Sequence, residues 1–349
     1  MAAISGISGN RPEHLSACID GITGTTVNHG YHDFCPGDDD MTDTPNGPAM
    51  QLDLDERGYR YFRNAVERHW DPYEIDLAKD RENILENYDE YQDIGAEIAI
   101  APLAMFGAGE EAVTEDLAPL AQVLDDIEDQ MFITTQLYEE AKHTDFFDRY
   151  WREVVHPTMD EIGEPRVYPN EDRWYADGYV ELFDRTEEAM HRLLEQDTPE
   201  NRVKAYTHYH LTVEGILAQT GYWGLTKFFD GSQEEIAPLP GLVEGIKGIR
   251  SDEGRHVGFG MAKVKEHVES GDVEFAVVQE TIGELLPLVQ ETVTHMFDLV
   301  DADYDDIPGE IGPGDLAEYA ITKHQDRMGQ IGDVDAEVPD VDDLTALGD

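Results

Sequence analysis

A chain of 349 residues can form one large or two smaller domains, and its 40% hydrophobic content can fill a sizeable core. The charge is extreme: 77 acidic residues against 24 basic ones leave a net charge of −53, with Arg outnumbering Lys. That balance opposes binding to nucleic acid or anionic lipid, and the self-repulsion is tolerable in molar salt, where screening shortens to about 3 Å. It points to a salt-adapted cytoplasmic protein rather than an acidic disordered chain, because long amphipathic segments fill the middle.

Residues 1–53 are rich in Gly, Asp, Asn, Thr and Pro and show no periodicity. They are expected to be disordered or, given Met41 and Met50, to precede the true start. Both cysteines, Cys18 and Cys35, fall there, so neither a disulfide framework nor a thiolate metal site is implied. From Leu54 the pattern turns helical and runs to Asp71-Pro72. A long helix is predicted over about 82–113, with Gly and Pro irregularities near its end. The next covers 116–150, with apolar positions at Leu117, Leu120, Leu124, Ile127, Met131, Ile133, Leu137 and Ala141.

A loop bearing Pro157, Pro165 and Pro169 leads to a helix at about 172–195. Thr198-Pro199-Glu200 opens another that reaches about Phe229. Further helices are predicted at about 241–270, 273–302 and 314–328. The acidic tail, 329–349, has no basic residue and no aromatic and is expected to be disordered. No run of about 18 apolar residues suggests a membrane span. The start lacks the basic region and apolar block of a signal peptide. Almost no segment alternates with period two, so residues 54–328 are read as one all-α domain.

Six residues on these helices form a pattern: Glu110, then Glu140 and His143, then Glu214, then Glu253 and His256. Residues three apart on a helix share a face, so each Glu-x-x-His pair presents a carboxylate and an imidazole to one point. One Glu from each of two helices, and a Glu-x-x-His pair from each of two others, is the ligand set of a carboxylate-bridged two-metal site in a four-helix bundle. A single such pair recurs by chance on solvated faces. Two pairs, each preceded by a helix with a further Glu, are far more specific. Four buried carboxylates are costly unless cations neutralise them. The mixed oxygen and nitrogen donors favour iron or manganese over structural zinc. Asp252, beside Glu253, is a candidate partner for a ligand imidazole.

The strings GEEAVT (109–114), EEAKHTDFF (139–147), YHLTVEG (209–215) and SDEGRH (251–256) resemble the ribonucleotide reductase small-subunit superfamily, over about residues 55–305. Within it the chain is most similar to the small-subunit-like ligand-binding oxidases. The resemblance implies a ferritin-like four-helix bundle extended by additional helices, forming a homodimer. It implies one manganese and one iron per chain, two irons being possible, and a bound long-chain fatty-acid-like ligand. Glu110, Glu140 and His143 would hold the first metal and Glu214, Glu253 and His256 the second, with Glu140 and Glu253 bridging. Dioxygen reduced at the metals would remove hydrogen from the Val113 side chain, and the Tyr209 oxygen would close an ether bond to it. Ala218, one turn after Glu214, would leave space for the acyl chain.

Phe147 stands where the reductase small subunits of the classical kind keep a radical tyrosine. Glu110 stands where they use Asp. Both features also suit the manganese/iron (class Ic) reductase subunits, which are the alternative reading. The last tyrosine is Tyr319 and the final thirty residues hold no Tyr or Trp, which opposes export of a radical to a large subunit. Trp70 and Asp252 resemble the inner relay of the superfamily. A metal-storing bundle without catalysis is a third, weaker reading. One local conflict carries a structural expectation. Five residues on a regular helix rotate about 140° beyond a full turn, so Tyr209 and Glu214 would diverge. A π-type bulge within about 208–216 would bring both to the metal side.

Overall fold

The computed structural model describes residues 52–88, 97–234, 236–299 and 311–345, and among them every regular element is helical. Helix α1 (Arg57–Glu67) and the short α2 (Ala78–Glu86) precede α3 (Glu97–Asp116) and α4 (Ala118–Val123). Then come α5 (Ile127–Tyr150), a π turn (Trp151–Val155), α6 (His156–Ile162) and α7 (Asp177–Glu195). One continuous rod comprises α8 (Pro199–Tyr206), a π-helical segment (Thr207–Ala218) and α9 (Gln219–Phe229). It is followed by α10 (Pro240–Glu269), α11 (Phe275–Asp298), α12 (Pro313–Gly332) and the single-turn α13 (Val341–Thr345).

Local chemistry sets the boundaries. Thr198 accepts a hydrogen bond from the Asn201 amide at 3.2 Å and Pro199 opens α8. The first amides of α10 are capped from another helix: Gly241 and Leu242 each donate to the buried Asp80 carboxylate at 2.7 Å. α6 ends at Gly163, whose φ of 80° suits glycine. α7 is amphipathic, burying Tyr179, Leu182, Thr186, Met190 and Leu193 at helical spacing. Each fully buried leucine there contributes about 1.5–3 kcal/mol.

Several boundaries differ from expectation. The helix predicted over 82–113 is two, α2 and α3, with residues 89–96 outside the described set. The one predicted over 116–150 breaks after Val123, because Leu124 and Asp126 are extended (ψ 134° and 131°). It also runs on past 150. Pro157 has no N–H to give to Glu153, and the ladder opens into the π turn just before it. The tail expected to be disordered from 329 is ordered through 345. α12 continues to Gly332, and Ile331, Val338, Val341 and Leu344 are buried. The Asn64 amide donates to Asp342 at 3.0 Å, and Arg60 pairs with Asp340 at 3.1 Å. Composition hid this because Val338, Val341 and Leu344, spaced among acids, suffice to dock the segment after α12. The expected disorder of 1–53 falls, except for its last two residues, outside the described residues.

α3 packs on α5, the π segment packs on α10, and α5 faces α10, forming the four-rod bundle. Two apolar clusters fill it. One contains Tyr61, Phe132, Tyr206, Tyr209 and Phe259. The other contains Phe146, Phe147, Tyr150, Tyr222 and Ile246. The six predicted ligands lie among these side chains. Among the described residues no helix is long and apolar enough to cross a membrane.

Candidate metal centre

The bundle brings all six predicted ligands together, each no more than 5% exposed. They fall into two overlapping groups: Glu110, Glu140, His143 and Glu253, and Glu140, Glu214, Glu253 and His256. Within each group one donor atom per residue lies within 4.8 Å of the others. Glu140 and Glu253 belong to both groups, as a bridging role requires. Each imidazole turns Nδ1 to the carboxylates. His143 Nδ1 lies 3.3 Å from Glu110, 3.4 Å from Glu140 and 3.8 Å from Glu253. His256 Nδ1 lies 3.1 Å from Glu140, 3.3 Å from Glu214 and 3.6 Å from Glu253.

The opposite ring nitrogens are held from outside. His143 Nε2 lies 3.0 Å from Asp252 Oδ2, and His256 Nε2 lies 2.9 Å from Glu139 Oε2. Arg255 joins these two carboxylates, donating to Glu139 at 2.6 Å and to Asp252. Lys142 Nζ lies 2.7 Å from Asp252, and the Trp70 indole donates to it at 2.8 Å. Such outer partners fix ring orientation and leave Nδ1 free to bind a cation.

The electrostatics describe a cluster built for cations. Burial pushes Glu110 up to about 8 and Glu214 well above the usual carboxylate range. Burial acts on Glu140 too, but the neighbouring His256 and His143 overcome it and hold Glu140 well below that range. Glu140 Oε2, Glu214 Oε2, Glu253 Oε2 and His256 Nδ1 are buried without a hydrogen-bond partner. Orphaned polar atoms of this kind converging on one point fit metal ligation. The oxygen and nitrogen donor set suits a manganese or iron pair.

The expected bulge is present as the Thr207–Ala218 π segment. Its signature is Thr212 Oγ1 donating to Thr207 O at 2.8 Å and the Gln219 amide donating to Glu214 O, both five residues back. The wider spacing lets Tyr209 and Glu214 both face the cluster. The Tyr209 hydroxyl donates to Glu140 Oε1 at 3.0 Å. Val113 is buried and lines an apolar cleft with Phe106, Val213, Leu217 and Ala218, and Glu110, Glu140, Glu214 and Glu253 also line it. The cleft's cavity volume is about 50 Å³. Phe147 is buried against Phe106, ring centroids 6.2 Å apart.

Sequence reasoning missed three partners. The Tyr222 hydroxyl donates to Glu110, with its ring stacked 4.2 Å from Phe106. Gln136 donates to Glu214 Oε1 at 2.9 Å. Glu139 orients His256. Tyr222 and Gln136 carry a usable signal, since Tyr222 follows Glu214 by eight residues and Gln136 precedes Glu140 by four. Those spacings share a helix face.

No protein-family model matches the chain. Solved structures of R2-like ligand-binding oxidase variants with a reconstituted Mn/Fe cofactor do resemble it. One, reconstituted anaerobically, has a TM-score of 0.68 at 28% identity, covering 79% of this chain and 94% of its own. Two others have TM-scores of 0.69 at 28% identity (aerobic) and 0.66 at 29% (anaerobic), with the same coverage. With its buried carboxylate and histidine cluster, the chain is a metal-dependent oxidoreductase of the ferritin-like, ribonucleotide reductase small-subunit superfamily, similar to the R2-like ligand-binding oxidases.

Proposed function

We propose that this chain is a dioxygen-activating Mn/Fe oxidase that binds a long-chain fatty-acid-like ligand and joins Val113 to Tyr209 through an ether bond. The observation carrying this reading is the π segment. It sets the Tyr209 hydroxyl 3.0 Å from Glu140 while Glu214, five residues on, remains in the cluster. Glu110, Glu140 and His143 would hold manganese, and Glu214, Glu253 and His256 would hold iron. The bound pair supplies electrons and Lewis acidity for reducing dioxygen.

The protein's own residues do the rest. Tyr209 starts neutral, since burial raises its hydroxyl well above its ordinary value. The existing hydrogen bond to Glu140 holds the Tyr209 O–H in place beside the cluster. The cross-link breaks one C–H bond of Val113 and the O–H bond of Tyr209 and forms one C–O bond, delivering two electrons and two protons to dioxygen. The apolar cleft accepts the acyl chain. The chain acts as a cytoplasmic homodimer in high salt, its acidic surface screened.

A class Ic-like reductase subunit is the second reading, supported by the hydrogen-bonded series Trp70–Asp252–His143. Peptide mass spectrometry of protein loaded with manganese and iron in high salt, before and after air, tests the choice. Loss of two hydrogens in a peptide pair joining Val113 to Tyr209, absent from Tyr209→Phe, is expected. Unlinked peptides despite full loading and oxygen uptake would transfer support to the reductase reading.

A further inference from the structure

The two carboxylates that belong to one group each, Glu110 and Glu214, are held in different ways. Glu110 accepts from the phenol of Tyr222, whose ring lines the cleft. Glu214 accepts from the Gln136 amide at 2.9 Å, and Gln136 Oε1 lies 3.2 Å from His210 Nε2. Gln136 and His210 are both fully buried, and neither lines the cleft. Gln136 sits one turn before Glu140 on α5, and His210 sits in the π segment one residue after Tyr209. Gly260 makes room for the imidazole, since a Cβ there would stand 2.3 Å from His210 Cβ.

We propose that Gln136 and His210 form a neutral positioning relay that fixes Glu214 and thereby sets the affinity of the second metal position separately from the first. The inference rests on the two-metal reading above. A buried amide can turn either end toward a carboxylate, but only its NH₂ end donates. His210 decides which. With the hydrogen on Nε2 it donates to Gln136 Oε1, and the NH₂ end must face Glu214. The other tautomer would turn the amide oxygen toward the Glu214 carboxylate, placing two acceptors face to face. Burial keeps His210 neutral, pushing it down to about 3, so the relay adds no charge to the cluster. It engages Glu214 Oε1 and leaves Oε2 without a partner. The outer network on His143 differs in kind, being made of Asp252, Lys142 and Arg255.

Equilibrium binding of Mn(II) alone to the full chain in high salt, read as bound metal per chain, tests this. The wild type is expected to bind two ions. Gln136→Leu is expected to keep one tight ion and to bind the second at least about 10-fold more weakly, the scale of a lost outer partner. His210→Phe is expected to shift the same position in the same direction. If Gln136→Leu does not fold, Gln136→Asn, which keeps the amide but withdraws it by one methylene, is expected to show the same one-site loss. Wild-type binding at both positions in these variants, or equal weakening of both, would overturn the relay. A wild type that binds fewer than two ions would instead overturn the two-metal reading.

Discussion

Glu139 and Asp252 exchange partners across the bundle. Each stands one residue before a Glu-x-x-His motif, and each takes the imidazole of the other motif. Glu139 meets His256 at 2.9 Å and Asp252 meets His143 at 3.0 Å. Arg255 touches both. Metal binding should therefore follow a crossed pattern. Glu139→Gln is expected to weaken the position that uses His256 by about 10-fold, and Asp252→Asn the one that uses His143. Because Arg255 couples the two, the double variant should depart from additivity. Metal titration of the three variants checks this, and each substitution weakening the position nearest in sequence would refute it.

The π segment depends on a missing side chain. A Cβ on Gly215 would stand 2.9 Å from the His210 carbonyl oxygen and 3.2 Å from Arg327 Nη1, and Arg327 donates to the Gly215 carbonyl. Gly215→Ala should push α12 away and distort the turn carrying Tyr209 and Glu214. A loss of about 1–3 kcal/mol in stability is expected, with reduced Val113–Tyr209 linkage. Denaturant unfolding and peptide mapping report on the two effects, and unchanged values for both would contradict the argument.

Acid should destabilise the chain through His208. Burial, then the Arg185 charge, lowers its pKa to about 4. The unfolded chain takes up the proton first, near pH 6.5. The contribution is thus complete above about pH 6.5 and is lost as the pH falls toward about 4. His208→Phe should lose up to about 2 kcal/mol less stability than wild type between pH 7 and pH 4.5. Comparing the two proteins cancels Glu110, whose raised pKa acts in the opposite sense. Parallel stability curves would show that His208 carries no such linkage.

Salt should raise the melting temperature. Surface ion pairs such as Arg60–Asp340 are each worth about 0–1 kcal/mol and weaken in salt. The net charge of −53 outweighs them. Thermal unfolding in about 0.1 M and about 3 M KCl, where the screening length falls from about 10 Å toward 3 Å or less, measures the balance. A melting temperature that is flat or falls with salt would count against salt adaptation.

The ligand pattern was legible in the chain because helical periodicity converts spacing into direction. Glu140 with His143 and Glu253 with His256 had to share faces, and the five-residue interval from Tyr209 to Glu214 required a π turn. Asp252 was singled out by its place beside Glu253 and by the resemblance to the superfamily's inner relay, not by periodicity. Tertiary packing decided what spacing cannot express. Glu139 is as adjacent to Glu140 as Asp252 is to Glu253, yet nothing local says that it crosses to His256 rather than facing solvent. Tyr222 became a partner of Glu110, and Gln136 of Glu214 with His210 behind it, only when α3, α5, the π segment and α9 were set side by side. The acidic tail was misread because composition averages over residues. Docking needed only Val338, Val341 and Leu344 at the right places on a surface that the rest of the chain had to fold to create. The sequence by itself determined the donor atoms and the helices that carry them. Only the tertiary structure decided which buried neighbours orient those donors, because such hydrogen bonds join residues tens to more than a hundred positions apart.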